Sequence, residues 1–369
     1  MTARPLISVC ILAGHGLAAL DECLGSLQAQ SSPPAFELLV GGDPTSEVRS
    51  VVHDRFPSAQ VCDTRGRLPG AARNPLIQRA RGELLLFLDD DVTAPPDLLT
   101  RLAQAASQHP EATVFGGPNE TPPNSSRFQA VQGAVLSSIM GAGPVSRRYG
   151  ARHPGPADER WFTLCNLSVR RSVMLPFVSH LICAEENALL AELRRRGERM
   201  RYEPELRVFH ARRPQLRSFA RQMFKYGRGR GQLLARDPST FRAAYVAPSL
   251  LLIYLLALIL MLALTGPSTL ILAPAGLYSA LILANALWVG WTLRRLEDAP
   301  LAAGLLLTVH ACYGAGVLRG LFSTGRQGHV GMAEWISNLS APAEPSRPSG
   351  DLRRAPRPGP GREACRSEG

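Results

Sequence analysis

The sequence ELLLFLDDD, at residues 83–91, decides how the first part of this chain folds. A continuous apolar run of this length is typical of a strand that is buried on both faces, as in a parallel sheet. Three carboxylates follow where the strand ends. Because ligands of open α/β sheets bind at the carboxyl ends of the strands, the sequence predicts a binding site at Asp89, Asp90 and Asp91.

Three adjacent carboxylates repel one another unless a cation lies among them, and hard divalent cations take oxygen ligands of this kind. We therefore expect the triplet to hold a metal ion and, with it, a phosphate-bearing substrate. The alternative is an acidic loop that caps the next helix, since aspartate is a good N-cap residue. The motifs around the triplet distinguish a metal site from a capping loop.

Strand and helix patterns alternate through the first third of the chain. The predicted strands are 7–12, 37–40, 59–62, 83–88 and 112–115, and the predicted helices are 17–28, one from residue 46, 71–81 and 96–108. Strands that alternate with helices of about a dozen residues form a mostly parallel, doubly wound sheet. The predicted fold class is therefore α/β.

The pattern weakens after residue 116. Residues 117–160 are rich in Pro, Gly, Ser and Asn and predict a long functional loop. A strand at 161–169, a helix at 185–196 and short strands at 201–202 and 206–210 follow, and Gly197 ends the helix. We place the boundary of this cytoplasmic domain, residues 1–212, after these elements.

A basic amphipathic helix is predicted at 215–226, within a connecting segment at 213–237. Its apolar stripe is Leu216, Phe219, Met223 and Tyr226, and its basic stripe is Arg217, Arg221, Lys225 and Arg228. This pattern fits a helix that lies in the headgroup region of a membrane. The alternative is a helix of a soluble protein that packs on the first domain.

Three apolar segments follow in a membrane domain at 243–322. Segments 243–264 and 270–291 each reach the ~20 residues needed to cross a bilayer, and a tight turn at 265–267 joins them as a hairpin. Trp288 and Trp291 beside two arginines anchor one end, so both ends of the hairpin are expected on the cytoplasmic side. The third segment, 301–318, either crosses, lies against the other helices or re-enters.

Charge and cysteine content limit the function classes. The 369 residues carry a formal net charge of +11, and Lys225 is the only lysine. Much of the basic excess precedes the apolar region or lies in a Pro/Arg-rich tail, 323–369, that is predicted to be disordered. This distribution favours a membrane surface over nucleic acid, because no aromatic residue lies among the tail arginines between positions 347 and 366. Scattered cysteines argue against a zinc site and a disulfide framework, and no signal peptide is recognisable.

Motifs on both sides of the acidic triplet resemble those of a known family. The segments GAARN at 70–74 and RARGE at 79–83, with the strand into the triplet, resemble the family 2 glycosyltransferases of the GT-A fold. AEENAL at 184–189, with RRRG at 194–197 and YEPE at 202–205 after it, resembles the family's acceptor-side segment and its sequel. VFH at 208–210 and KYGRGR at 225–230 extend this resemblance, and HACYGAG at 310–316 is similar to membrane-bound members that build exopolysaccharides. The resemblance covers residues 5–322.

The resemblance implies transfer of a sugar from a nucleotide-diphosphate donor to an acceptor hydroxyl, with inversion at the anomeric carbon. It implies a Mg²⁺ or Mn²⁺ ion on Asp91, supported by Asp89, which neutralises the departing diphosphate as a Lewis acid. It also places Arg73 at the diphosphate, where a planar guanidinium can bond two oxygens.

The acceptor side needs a base for the attacking hydroxyl, and a carboxylate is adequate. The family's base is an aspartate, and Glu186 occupies that position here; its alternative role is an acid in the first turn of a helix. Asp90 and Glu185 are expected in the substrate site. His210 is a further candidate metal ligand, whose alternative role is structural.

The nucleotide-binding end departs from the family pattern. LAGH at 12–15 stands where the family has Pro-Thr-Tyr-Asn, and GGDPT at 41–45 stands where it has Val-Asp-Asp-Gly-Ser. Asp43 is the remaining acid that could bond the nucleotide base. Both a base other than uracil and a different way of holding uracil fit this change.

The sequence therefore predicts a metal-dependent, inverting glycosyltransferase anchored in a bacterial inner membrane, with a lipid-linked or other glycan acceptor. The Gln-x-x-Arg-Trp motif of processive synthases is missing at 222–226, which favours transfer of single sugars. A processive synthase and a non-catalytic membrane protein that binds nucleotide sugars are the alternatives. His310 and Tyr313, polar at membrane depth, are expected to line a lipid-acceptor groove or to bond neighbouring helices. The oligomeric state is left open.

Overall fold

A computed structural model describes residues 4–150, 153–179, 185–236 and 238–323. The predicted disordered tail beyond residue 323, and Ala184 of the acceptor-side motif, lie outside these residues. The strands are β1 (Ile7–Leu12), β2 (Phe36–Gly42), β3 (Gln60–Asp63), β4 (Leu84–Asp89), β5 (Val92–Thr93), β6 (Ala112–Gly116), β7 (Asn119–Glu120), β8 (Gly155–Ala157), β9 (Asn166–Arg170), β10 (Arg199–Tyr202) and β11 (Val208–His210).

The α-helices follow the predicted order, with additional members. They are α1 (Leu17–Gln28), α2 (Ser46–Arg55), α3 (Pro69–Arg79), α4 (Leu98–Gln108), α5 (Arg127–Ser137), α6 (Ile139–Ala142), α7 (Glu185–Arg195), α8 (Leu216–Arg236), α9 (Ala243–Thr265), α10 (Thr269–Thr292) and α11 (Ala299–Leu321).

One sheet organises the first domain, in the strand order β3-β2-β1-β4-β9-β6-β10-β8. The strands β3, β2, β1 and β4 run parallel, and β10 runs parallel to β6. Strand β9 lies antiparallel between β4 and β6, and β8 is antiparallel at the edge. The sheet is mostly parallel, which confirms the predicted fold class.

Strand β4 is buried on both faces, as its continuous apolar run indicates. Leu84, Leu86 and Leu88 pack into one hydrophobic core with α1 and α4. Leu85 and Phe87 pack into a second core on the other face, with α3 and α7. Since each face of β4 is covered, the strand places its terminal Asp89 at a fixed position on the sheet edge.

The prediction of a long loop at 117–160 is wrong, because α5 and α6 lie within it. Ser126 and Gln129 form a capping box: the Ser126 hydroxyl accepts from the Gln129 amide N–H, and the Gln129 side chain accepts from the Ser126 amide N–H. Val131 and Val135 of α5 are buried in a core shared with α10 and α11. The helix is therefore stabilised by the membrane helices rather than by the sheet.

The predicted strand at 161–169 is also wrong over its first half. Residues before Asn166 turn instead, with the Asn166 amide donating to the Thr163 carbonyl at 3.0 Å. Only β9, from Asn166, pairs with the sheet.

Helix α8 extends ten residues beyond the predicted end at Tyr226 and packs closely on α11. A Cβ atom on Gly227 would overlap the carbonyl oxygen of Tyr313, and one on Gly316 would overlap that of Phe224. Further along, Gly231 lies against Val317. Glycines four residues apart let helix backbones approach this closely, so one face of the basic helix is buried against α11.

In the described part of the chain, three helices are long and apolar enough to cross a membrane: Ala243–Thr265, Thr269–Thr292 and Leu296–Leu321. The third lies against the others as well as against α8. Ser249 Oγ of α9 donates to the Gly314 carbonyl at 2.9 Å, and Tyr278 of α10 hydrogen-bonds His310 at 2.9 Å. Of the alternatives for the third apolar segment, the structure shows contact with the neighbouring helices.

We predict that Gly316→Ala destabilises the protein, whereas Gly304→Ala in the same helix does not. The new methyl group at 316 would overlap the backbone of α8, whereas the one at 304 would have no atom within contact distance. At 304 the effect that remains is the better helix propensity of alanine, about 1 kcal/mol. Overpacking at 316 should cost about 1–3 kcal/mol. Thermal unfolding in detergent measures both variants, and equal melting temperatures would contradict the close packing of α8 on α11.

Candidate active site

Asp90 holds the ends of β1 and β4 together. Its carboxylate is fully buried and accepts hydrogen bonds from the amides of Gly14 and His15 at 2.7 and 2.8 Å. His15 Nδ1 lies 2.6 Å from its other oxygen, and this contact raises the pKa of His15. Asp90 thus faces the loop after β1, and its predicted role in substrate binding stays a prediction.

Asp89, Asp91 and His210 come together at the carboxyl edge of β4. One ligand atom from each lies within 4.8 Å of the others. His210 ends β11, which pairs with β5 directly after the acidic triplet, and its Nε2 lies 3.0 Å from Asp91 Oδ1. The second β-sheet, of β5, β11 and β7, therefore brings a distant histidine to the acidic edge.

Two buried atoms of this cluster fit a cation. Among the described residues, Asp91 Oδ2 has no hydrogen-bond partner, although His15 Nε2 and Arg213 Nη2 lie 3.6 and 3.8 Å from it. His210 Nδ1 is likewise buried without a partner. An unsatisfied carboxylate oxygen and an imidazole nitrogen suit a divalent ion. Asp89, Asp91 and His210 could therefore hold one.

The surroundings of Asp91 favour its ionised form. Burial acts to raise its pKa, but the hydrogen bond from His210 and the charges of His15 and Arg213 outweigh burial and lower the pKa to about 2. A carboxylate that stays charged inside the protein is what a metal ligand requires.

Arg73 lies between two carboxylates rather than facing solvent. Its Nη2 donates to Asp89 Oδ1 at 2.8 Å and its Nη1 to Glu185 Oε1 at 3.1 Å. Burial, together with the adjacent charge of Glu186, raises the pKa of Glu185 to about 7 despite the attraction of Arg73. The three residues link α3, β4 and α7 at the edge of the site.

Glu186 begins α7 next to this group. Its carboxylate accepts a hydrogen bond from the Asn187 side-chain amide, and Arg148 Nη1 lies 3.9 Å from Glu186 Oε1. Asp43, the candidate for the nucleotide base, follows β2 and is exposed, with Arg65 Nε 3.6 Å from its carboxylate. The structure thus places the predicted residues on the carboxyl side of one sheet.

A cavity of about 920 Å³ joins this edge to the membrane helices. Its lining includes Asp89, Arg73, Glu185, Glu186 and His210. Residues of α6, α9, α10 and α11 line it as well: Ile139, Met140, Ala247, Pro248, Leu251, Tyr278, Val309, His310 and Tyr313. A basic group lies in the lining as well: Arg148, Arg212, Arg213, Arg221, Lys225 and Arg230.

Sequence reasoning assigned no site role to several residues of this cavity. Arg148 follows the helices that were predicted as loop, and His15 lies in a segment that appeared only as a departure from the family pattern. Arg230 belongs to the KYGRGR motif, which was a usable signal. Ser126 and Gln129, a capping pair, could have indicated α5.

We predict that Glu185→Gln changes how stability depends on pH. Folded Glu185 keeps a proton that the unfolded chain loses above the ordinary pKa of 4.5, so its contribution to the free energy of unfolding falls as pH rises toward about 7. The slope is at most about 1.4 kcal/mol per pH unit. Relative to the wild type, the variant's melting temperature should therefore increase across this window.

The exposed carboxyl of Glu47 in α2 provides the control for this measurement. Glu47→Gln should keep the pH dependence of the wild type. A Glu185→Gln profile that runs parallel to the wild type would show that Glu185 ionises normally.

Comparisons with known proteins relate this chain to a family model and to solved structures. Residues 8–160 match the family model described as glycosyl transferase family 2. A mannosyltransferase from Pyrobaculum calidifontis, solved with GDP-Man and Mn²⁺, is 16% identical; the match covers 88% of this chain and 89% of that chain, with a TM-score of 0.60. S. aureus TarS 1-349 in complex with UDP-GlcNAc is 14% identical over 85% of this chain and 90% of that chain, with a TM-score of 0.44.

No curated protein matches the chain in sequence. The family match covers β1 through β8, including the acidic triplet, and the Pyrobaculum enzyme shares the fold. The first part of the chain, residues 8–160, therefore matches the glycosyl transferase family 2 model and has the GT-A fold, and three helices long enough to span a membrane follow.

Proposed function

We propose that this protein is a metal-dependent, inverting glycosyltransferase that moves one sugar from a nucleotide-diphosphate donor to a lipid-linked acceptor at the cytoplasmic membrane face. The observation that carries the proposal is the cavity of about 920 Å³, because it joins the acidic edge of a GT-A sheet to an apolar wall of membrane helices. A soluble acceptor would not need that wall.

The donor's diphosphate belongs at the carboxyl edge of β4. Asp89, Asp91 and His210 would hold the Mg²⁺ or Mn²⁺ ion, which when bound neutralises charge on the leaving diphosphate. The mannosyltransferase with the same fold was solved with GDP-Man and Mn²⁺, and this supports a nucleotide sugar and a divalent ion here. Asp43, after β2, is the proposed contact to the nucleotide base.

Arg73 has two roles in this proposal. Its ion pairs with Asp89 and Glu185 hold the acidic edge together. Its Nε, buried and without a partner in the described structure, is a donor that a diphosphate oxygen could satisfy. Glu185 and Asp90 then act by holding Arg73 and the β1 loop, respectively.

Glu186 is the proposed base. It lines the cavity between the acidic cluster and the membrane helices, where an acceptor hydroxyl would approach. The hydroxyl oxygen attacks the anomeric carbon as the bond from that carbon to the diphosphate breaks, and the hydroxyl proton passes to the Glu186 carboxylate. Attack opposite to the leaving group inverts the configuration.

The acceptor side combines charge with apolar surface. The arginines and Lys225 in the lining suit an anionic headgroup, and the residues of α9, α10 and α11 suit a lipid chain. Arg217, Arg221 and Lys225 of α8 are exposed, which supports a position of this helix at the headgroups. The hairpin of α9 and α10 would then have both ends in the cytoplasm.

A donor screen tests the proposed reaction. GDP-mannose, UDP-GlcNAc and UDP-glucose, each radiolabelled in the sugar, are incubated with the purified chain, MnCl₂ and a membrane lipid extract of the native host. Label should enter lipid that partitions into organic solvent, one sugar per acceptor. Label found only in soluble acceptors would exclude the lipid-linked acceptor, and long products would indicate a processive synthase.

We predict that Asp91→Asn lowers the transfer rate roughly 100-fold or more, because a bound ion contributes several kcal/mol to stabilising the leaving group. Asp97→Asn, an exposed carboxylate that pairs with Arg101 before α4, is the matched control and should keep the rate. EDTA should abolish wild-type transfer, and MnCl₂ or MgCl₂ should restore it. Wild-type activity that survives EDTA would contradict a metal-dependent reaction.

We predict that Ala247→Trp raises the KM for the lipid acceptor roughly tenfold while donor binding is unchanged, since the indole would fill part of the apolar wall. Leu250→Trp is the control on the same helix: Leu250 is exposed and lies outside the cavity lining. Initial rates at varied lipid and fixed donor measure the effect. An equal change in both variants would argue against lipid binding at this wall.

A further inference from the structure

We propose that Asn187 is a positioning residue for Glu186 and that Arg230 of α8 holds Asn187 in place. The membrane-packed helix would then set the position of the base. This inference rests on the proposed function, in which Glu186 accepts the proton of the acceptor hydroxyl.

The neighbouring side chains of Asn187 determine which end of its amide accepts hydrogen bonds and which end donates. It is 2% exposed, and its Oδ1 accepts from Arg148 Nη2 at 3.0 Å and from Arg230 Nη2 at 2.8 Å. Guanidinium groups only donate, so the oxygen must face them and the NH₂ group must face the other way. That NH₂ group donates to Glu186 Oε1.

Arg230 is itself held by the membrane-side helices. It lies between Gly229 and Gly231, and Gly231 contacts the backbone of α11 at Val317. Its guanidinium lies over the ring of Tyr245 in α9, 4.1 Å from the centroid. Arg230 is buried, so its position follows that of α8 against α9 and α11.

The residue at the base position explains why such a support is needed. Glutamate has one more rotatable bond than aspartate, so more rotamers have to be suppressed before its carboxylate is fixed. Asn187 bonds one oxygen of Glu186, and Arg148 lies 3.9 Å from the same oxygen. Contacts with Arg148 and Asn187, which Arg230 holds in place, thus restrict the position of the Glu186 carboxylate, as a shorter side chain would do by itself.

Asn187→Asp removes the amide N–H and places a second negative charge beside Glu186, and both changes should displace the base. The new carboxylate can still accept from Arg148 and Arg230, but it has no N–H for Glu186. Misplacing a reacting group by about 1 Å costs roughly 100-fold in rate, so we expect kcat to fall roughly 10- to 100-fold with the donor KM within about threefold of wild type. Transfer of label from the screened nucleotide sugars into the lipid extract provides the assay.

Arg230→Gln tests whether the hydrogen bond from α8 to Asn187 is needed. The substitution is made both in the wild type and in the Glu186→Gln variant. If Arg230 acts through Glu186, its loss should lower kcat in the first background and change little in the second, because residues that act as a unit are not additive. Arg230→Lys keeps the charge but not the planar fork and should give an intermediate kcat. Arg194→Gln, which removes an exposed arginine of α7 paired with Glu159, should keep wild-type kcat.

The outcomes separate the two proposals. A wild type without transfer activity, or a Glu186→Gln variant as active as wild type, overturns the proposed function. An active wild type and a Glu186→Gln variant of strongly reduced kcat, combined with full activity of Asn187→Asp, overturn only the positioning role. Equal losses from Arg230→Gln in both backgrounds, or a loss confined to the acceptor KM, would make Arg230 an acceptor-binding residue instead. Melting temperatures show whether each variant is folded. If Arg230→Gln unfolds, the kcat of Asn187→Asp alone tests the positioning of Glu186.

Discussion

The buried carboxylate of Asp90 is the contact on which the acidic edge depends. Three aspartates in sequence would repel one another, yet Asp90 accepts from the amides of Gly14 and His15 and from the imidazole. Charge-assisted hydrogen bonds of this kind are stronger than neutral ones. With Asp90 directed toward the β1 loop, Asp89 faces Arg73 and Asp91 faces His210. Asp90 thus bonds the β1 loop, and the two carboxylates beside it lie next to Arg73 and His210.

The lining of the cavity beyond this edge combines three kinds of surface. Carboxylates and His210, a group of arginines with Lys225, and aliphatic and aromatic side chains of the C-terminal helices all contribute to it. These surfaces meet because α8, which carries part of the basic group, packs on α11.

Close backbone packing makes this arrangement possible. Gly227 and Gly231 of α8 contact α11 where any larger residue would overlap the facing backbone. Helix α5 adds a second connection, since Arg127 pairs with Asp298 at the start of α11 and Val131 and Val135 share its core. The GT-A domain and the membrane helices therefore pack as neighbours, and a side chain such as Arg230 can contact both.

The sequence by itself determined the elements whose signals are local. The apolar run of β4 with its acidic end, the alternation of strands and helices, and the apolar spans all appear in the structure close to their predicted bounds. Apolar periodicity and length carry this information, because each element buries its own surface. The acidic triplet and the family motifs likewise identified Asp89, Asp91, Arg73 and Glu186 as residues that the structure brings to one sheet edge.

The tertiary structure alone decided which distant residues meet. Arg148 and Arg230 converge on Asn187 from 39 and 43 positions away, and His15 reaches an aspartate 75 positions away. No local pattern encodes such pairings, since they depend on how the β1 loop, α7 and α8 come together around the sheet. The helices inside the predicted loop escaped detection for a related reason: α5 buries its apolar side chains against membrane helices that lie far along the chain.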